Sequence, residues 1–181
     1  EEGQEKDVDL LFQTNFFGPV SLIKEVLPYM RDEERLHRQY FIHCSSKYLS
    51  GIGILWSIEM ALEGMSSALQ KETELLELGN GVEPGAFRTN FSGRSLKQTE
   101  LQISDYDSTA GLRRIENDHS HGTQCGDPDK GAKLVLEAIQ SENPPFKFIL
   151  GGDAWEVYRQ REQMQNEEMR PWLEKSRQTT F

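Results

Sequence analysis

The 181 residues carry 20 Lys and Arg against 30 Asp and Glu, a formal net charge of −10. That balance argues against nucleic-acid binding, which needs clustered cations for phosphates, and against docking to anionic membranes. No apolar run reaches the ~20 residues that cross a bilayer, and clustered apolar residues with 9% aromatics argue against disorder. The length fits one domain. Cys44 and Cys125 are too few to staple such a chain. Glu1-Glu2-Gly3-Gln4-Glu5 is the opposite of a basic secretion start, so the expected setting is reducing and cytoplasmic.

Between Asp7 and Met30, apolar residues fall at Val8, Leu11, Phe12, Phe16, Val20, Ile23, Leu27 and Met30. Steps of three and four predict a helix over 7–30 with one buried stripe, and Gly18-Pro19 predicts a kink or two helical pieces. Tyr40 to Ser45 is a short apolar run that predicts a buried strand. Lys47 to Leu55, holding Gly51 and Gly53, reads as a loop. The stripe of Ile58, Ala61, Leu62, Met65 and Leu69 predicts a second helix over 57–76, stopped by Gly79-Asn80-Gly81. Little then remains for a strand before Pro84-Gly85. Ala86 to Gly126 is polar without period and predicts a substrate-type or mobile loop over 86–126.

Asp127-Pro128 opens a third helix, with Asp as N-cap and Pro at the first helical position, and its apolar face is Ala132, Val135, Ala138 and Ile139. Asn143-Pro144-Pro145 ends it. Phe146 to Leu150 predicts a strand. After Gly151-Gly152, Asp153 is expected to cap a charged helix that runs to Met169 and is closed by Pro171. Helices alternating with strands imply an α/β fold: a parallel sheet of two or three strands with helical crossovers.

Several of these segments resemble the later portion of a short-chain dehydrogenase/reductase. Thr14-Asn15-Phe16-Phe17-Gly18-Pro19 with Val26 to Arg31 is similar to the family's helix carrying an active-site Asn. Cys44-Ser45-Ser46 resembles the strand end that bears the catalytic Ser. Met60 to Leu69 is similar to the helix after the catalytic Tyr-x-x-x-Lys. Val82 to Thr89 resembles the Pro-Gly-x-x-x-Thr segment that meets the nicotinamide. Gly126-Asp127-Pro128 and Asn143 to Gly151 resemble the last helix and strand. The resemblance covers nearly all of residues 1–181, read as one domain.

It implies an incomplete Rossmann-like, doubly wound sheet with flanking helices, and NAD- or NADP-dependent redox chemistry on a small-molecule alcohol or carbonyl. It also implies Ser46 and Asn15 as catalytic residues, Pro84, Gly85 and Thr89 beside the cofactor, and pairing into homo- or hetero-oligomers through helices 7–30 and 57–76.

The departures are chemical. None of the 15 glycines forms the Gly-x-x-x-Gly-x-Gly trio that cradles a pyrophosphate, so the cofactor-binding N-terminal half is expected to be absent. Counting back from Glu63-Gly64 puts Leu55 at the Tyr position and Glu59 at the Lys position, and no tyrosine has Lys four residues on. A tyrosine near pKa 10 needs a neighbouring cation to donate its proton efficiently; leucine has no such proton, and a carboxylate has the wrong sign. The expectation is an impaired oxidoreductase, with a non-catalytic interaction partner of a complete homologue as the alternative. Tyr48, beside Lys47, is a possible substitute donor. His119, His121 and Cys125 offer three ligands, short of a closed zinc site, and no metal is expected. The run from Arg159 to Glu168 reads as a solvated helix face.

Overall fold

A computed structural model of the chain describes residues 1–32, 40–42, 53–73, 80–96 and 98–180. Its frame is a sheet of β1 (Tyr40–Ile42), β2 (Asn80–Pro84) and β3 (Lys147–Leu150), in the order β1-β2-β3 with both pairs parallel. Around it stand α1 (Glu5–Phe12), α2 (Gly18–Asp32), α3 (Gly53–Glu72), α4 (Leu112–Ser120), α5 (Pro128–Gln140), α6 (Gly152–Met169) and α7 (Leu173–Arg177). Parallel neighbours need long crossovers. The stretch holding α3 joins β1 to β2, and the stretch holding α4 and α5 joins β2 to β3. This is the expected α/β alternation, with three strands among the described residues.

The helical region over 7–30 falls in two α-helical pieces, α1 and α2, with α2 starting at Gly18 as expected. Gln13–Phe17 widen into a π turn between α1 and α2, and the Gly18 N–H donates to the Gln13 carbonyl five residues back. Pro19 has no N–H for the Asn15 carbonyl four residues earlier, and the wider turn accommodates that defect between the two pieces. The second helix begins at Gly53, so Leu55 is helical rather than part of a loop. It buries Ile58, Leu62, Ser66 and Leu69, and the Ser66 hydroxyl donates to the Leu62 carbonyl at 2.8 Å. α3 lies against β2, α1 and the π turn. Asn80 and Gly81 belong to β2 instead of stopping the helix, because this strand is paired on both sides; the Gly81 N–H donates to the Phe146 carbonyl at 2.7 Å. The expected strand end 43–45, loop residues 47–52, helix end 74–76 and Gly79 lie outside the described residues.

Asp127 caps α5 as expected, accepting from the N–H groups of Asp129 at 3.0 Å and Lys130 at 3.2 Å. Those contacts, Lys130's first, hold its carboxyl below the usual range. Asp153 does not cap α6; Gly151 occupies that position, and Asp153 is used elsewhere. Nor does Pro171 close the helix: it enters a 3₁₀ turn over Arg170–Trp172 that leads into α7, since proline's fixed φ suits a first helical turn. Residues 86–126 are not a bare loop. They hold π turns at Phe91–Ser95 and Asp107–Gly111, a 3₁₀ turn at Ser104–Tyr106, and α4. The turns are too short for a period, and α4 buries Asn117 in place of an apolar stripe, so the pattern in the sequence is polar.

Ile23, Ile58, Leu62, Leu69, Val82, Leu150 and Ala154 are the buried apolar residues of the described core. The centre of the sheet also buries a charge. Parallel strands covered on both faces normally read as apolar runs, yet Glu83 in β2 is 5% exposed. The register Gly81↔Lys147 places Lys147 diagonally across from Glu83 on the same face, and its Nζ lies 2.6 Å from Glu83 Oε1. The same ammonium meets Glu63 of α3, which ties that helix to the sheet. Burial alone would lower the Lys147 pKa; hydrogen bonds and charge attraction from the two carboxylates outweigh it and raise it above the ordinary value. Replacing the cation leaves a buried carboxylate uncompensated, so Lys147→Met should cost about 3 kcal/mol in urea denaturation at neutral pH. A group with a raised pKa contributes its full stability below its unfolded value, about 10.4 for lysine, and loses it as pH climbs through the folded value. The gap between wild type and Lys147→Met should therefore hold steady through neutral pH and close on the alkaline side only in strongly alkaline buffer.

Candidate functional site

Because all three strands run parallel, their carboxyl ends, at Ile42, Pro84 and Leu150, share one edge. In sheets of this kind ligands bind in the crevice outside that edge. The turn leaving β2 is fixed there. The Gly85 N–H donates to the Leu150 carbonyl at 2.7 Å, and the Ala86 N–H donates to Asp153 Oδ2 at 2.7 Å. The carboxylate of Asp153 fills the space where a Gly85 side chain would stand, since a Cβ there would come within 2.1 Å of Asp153 Oδ1. Gly151 has φ +112°, a conformation left to glycine, and a Cβ on it would lie 2.9 Å from the same oxygen. Two glycines just beyond the ends of adjacent strands thus make room for one acid. The sequence signal was present in Gly151-Gly152-Asp153, but an Asp after two glycines at a helix start reads as a cap.

Beyond the turn, residues 86–88 run beside 124–126. Phe87 bridges Gly126 in parallel, the Gly126 N–H donates to the Ala86 carbonyl at 2.9 Å, and the Arg88 N–H donates to the Gly126 carbonyl at 2.9 Å. The Arg88 guanidinium donates to the Gln124 carbonyl through Nε at 3.2 Å and Nη2 at 3.0 Å. The Phe87 ring rests on Gly126 and Gly131, where Cβ atoms would approach it to 2.8 and 2.6 Å. Thr89 is exposed; its hydroxyl accepts from the Phe91 N–H at 3.3 Å.

The other expected residues are placed as follows. Asn15 is half-buried in the π turn, and its side-chain amide donates to the Leu11 carbonyl at 3.0 Å. That turn packs on α3, whose first turns carry Leu55 and Glu59, both half-buried. Ser46, Cys44 and Tyr48 lie outside the described residues. Among the described residues no group of three His, Cys, Asp or Glu side chains could hold a metal ion. His119 Nδ1 is 2.7 Å from the Ile115 carbonyl, and His121 lies against Gly93. Cys125 is exposed.

The chain is 31% identical over 157 residues to 3-ketodihydrosphingosine reductase of Bacteroides thetaiotaomicron, covering 81% of this chain and 55% of the relative. It is 30% identical over 152 residues to retinol dehydrogenase 8 of Bos taurus, covering 76% and 46%. A solved short-chain dehydrogenase from Streptomyces avermitilis matches with a TM-score of 0.85 and 29% identity over 99% of this chain and 65% of its own. A small-chain dehydrogenase in complex with NADPH, 19% identical with a TM-score of 0.57 over 84% of this chain and 65% of its own, shares the fold. No protein-family profile matches. The chain spans about half the length of the curated relatives it matches. Fold and relatives together define an α/β protein of Rossmann type. Over most of its length the chain is similar to short-chain dehydrogenase/reductases.

The Gly85–Asp153 packing yields a direct test. Gly85→Ala should lower stability by about 2 kcal/mol or more, measured by urea denaturation, because the added methyl must displace a bonded carboxylate. Adding Asp153→Ala should cost less in the Gly85→Ala background than in wild type, since the two residues occupy one space.

Proposed function

We propose that this chain forms the substrate-facing part of an NAD- or NADP-dependent oxidoreductase acting on small alcohols or carbonyls, and that its proton-transfer step is impaired. The observation carrying this reading is the match to a short-chain dehydrogenase over nearly the whole chain, with the Pro84–Gly85–Ala86 turn standing at the carboxyl edge of the sheet. In this reading the coenzyme supplies or accepts the hydride. Pro84 would give its ring an apolar wall, and Thr89 would offer an exposed hydroxyl. The N–H groups of Gly85 and Ala86 are already donated within the fold, so Gly85 shapes the turn rather than binding through its amide. Ser46 would orient the substrate oxygen, and Asn15 would position a water.

Leu55 and Glu59 do not fit the reaction. Leucine holds no transferable proton, and a carboxylate at the Lys position would raise the pKa of a nearby phenol and offers no donor to ribose hydroxyls. Residues 86–126 are taken as the substrate-facing segment. No described helix is long and apolar enough to cross a membrane. The cytoplasmic setting belongs to the same reading and rests on the cysteine count.

Assayed beside the Bacteroides reductase with 3-ketodihydrosphingosine and either reduced coenzyme, protein containing this chain should turn over about 10²–10⁴-fold more slowly, the usual cost of a lost general acid. Turnover equal to that of the relative overturns the impaired reading.

A second reading has a specific observation behind it: the chain pairs with another copy or a complete homologue through helix 7–30. Leu10, Phe17, Leu22 and Tyr29 are exposed at 59%, 48%, 65% and 73%, and covering such apolar side chains with a partner is favourable. Light scattering after size exclusion should give a discrete dimer, and Leu22→Glu should shift it to monomer. A wild-type monomer at all concentrations counts against pairing.

A further inference from the structure

One contact ties the first residues of the chain to the middle of the segment between β2 and α5. Glu2 uses both oxygens: Oε2 sits 2.6 Å from Arg114 Nη1, and Oε1 accepts the Ile103 N–H at 2.8 Å. Both side chains of the ion pair are largely shielded, at 12% and 13% exposure. Next to it, the Tyr106 hydroxyl donates to Glu1 Oε2 at 2.7 Å. Residues 98–118 are closed on themselves as well, since the Gln98 amide donates to Asp118 Oδ1 at 2.6 Å. On its other side the N-terminal segment abuts the start of α3: a Cβ on Gly3 would come within 2.8 Å of Ile54 Cδ1, one residue before Leu55. The segment therefore leaves the carboxyl edge at Gly85–Ala86 and is fastened beside the helix start that borders the same edge.

We infer that Glu2 is a clasp holding residues 98–118 as a strap across the carboxyl edge of the sheet, closed by an ion pair within the chain instead of by a bound ligand. A carboxylate that receives a backbone N–H and a guanidinium together makes charge-assisted bonds, stronger than neutral ones and poorly replaced by water when shielded. The Ile103 N–H, followed by Arg114, holds the Glu2 carboxyl below the usual carboxylate range, so the clasp is charged at neutral pH. The clasp stands on this geometry alone. That the edge beneath it receives a nicotinamide coenzyme rests on the function proposed above.

Hydrogen–deuterium exchange on the full chain tests it. Glu2→Gln keeps the length and one acceptor oxygen but removes the charge. Exchange of amides in 99–118 should quicken roughly tenfold, the scale of a lost hydrogen bond to a charged group, while β2 and β3 keep wild-type protection. Arg114→Lys, which keeps the charge and loses the guanidinium geometry, should give a smaller increase in the same peptides. Equal protection of 99–118 in wild type and Glu2→Gln overturns the clasp. So does a uniform rise that includes β2 and β3, which would make Glu2 a support of the whole fold. Protection of the strap that appears only after NADPH is added also overturns it. Exchange needs no turnover, so failure of the oxidoreductase reading leaves this test standing.

Discussion

The carboxylate of Asp153 decides how the chain leaves the carboxyl edge of the sheet. It bonds the first N–H beyond β2, occupies the side-chain space of Gly85, and is admitted by the left-handed Gly151 at the end of β3. One acid thereby joins the ends of two parallel strands and sets the direction in which the chain departs. Everything that follows, the 86–88 pairing with 124–126, the strap, and the return through α5, starts from that fixed exit. Its counterpart within the sheet is Lys147, which lets β2 carry a buried Glu83 and draws Glu63 of α3 onto the strands. The two arrangements divide the labour: Lys147 binds a helix to the face of the sheet, and Asp153 binds a turn to its edge.

Much of the fold was legible because its signals are local or periodic. Asp127-Pro128 names a helix start by capping chemistry alone, and the stripe from Ile58 to Leu69 names a buried helix face by spacing. What escaped depends on contacts distant in sequence. Asp153 looks like a cap until its partner 67 residues away is known. Gly81 looks like a helix stop until β1 and β3 flank it. The π turn at Gln13–Phe17 was visible only as a defect at Pro19, because the sequence states that a hydrogen bond is missing but not how the helix re-forms around it. Segment 86–126 hid its helical turns because it buries polar groups such as Asn117 and Gln124, which leave no hydrophobic period.

The candidate site was legible to a different degree. Pro84, Gly85 and Thr89 were singled out by resemblance, and they lie at the end of β2 and just beyond it. Gly85 has a sufficient cause within the fold, which separates its shape requirement from any ligand. Leu55 and Glu59 were identified by counting along a motif, and the structure sets both on the first turns of α3. There a side chain's position is dictated by the helix. On the proposed reading, scaffold and reactivity separate within one chain: the contacts that shape the edge do not depend on the residues at positions 55 and 59.

The seat of the Phe87 ring on Gly126 and Gly131 gathers the outgoing and returning strands of the strap at a single junction. Since the ring and the paired backbone close the base of this excursion, residues beyond it are insulated from the register of the sheet. Insertions or deletions between roughly 89 and 123 can change the length and contents of the excursion while β2 and β3 stay aligned. The junction makes that stretch a part of the chain whose length can vary without disturbing the sheet.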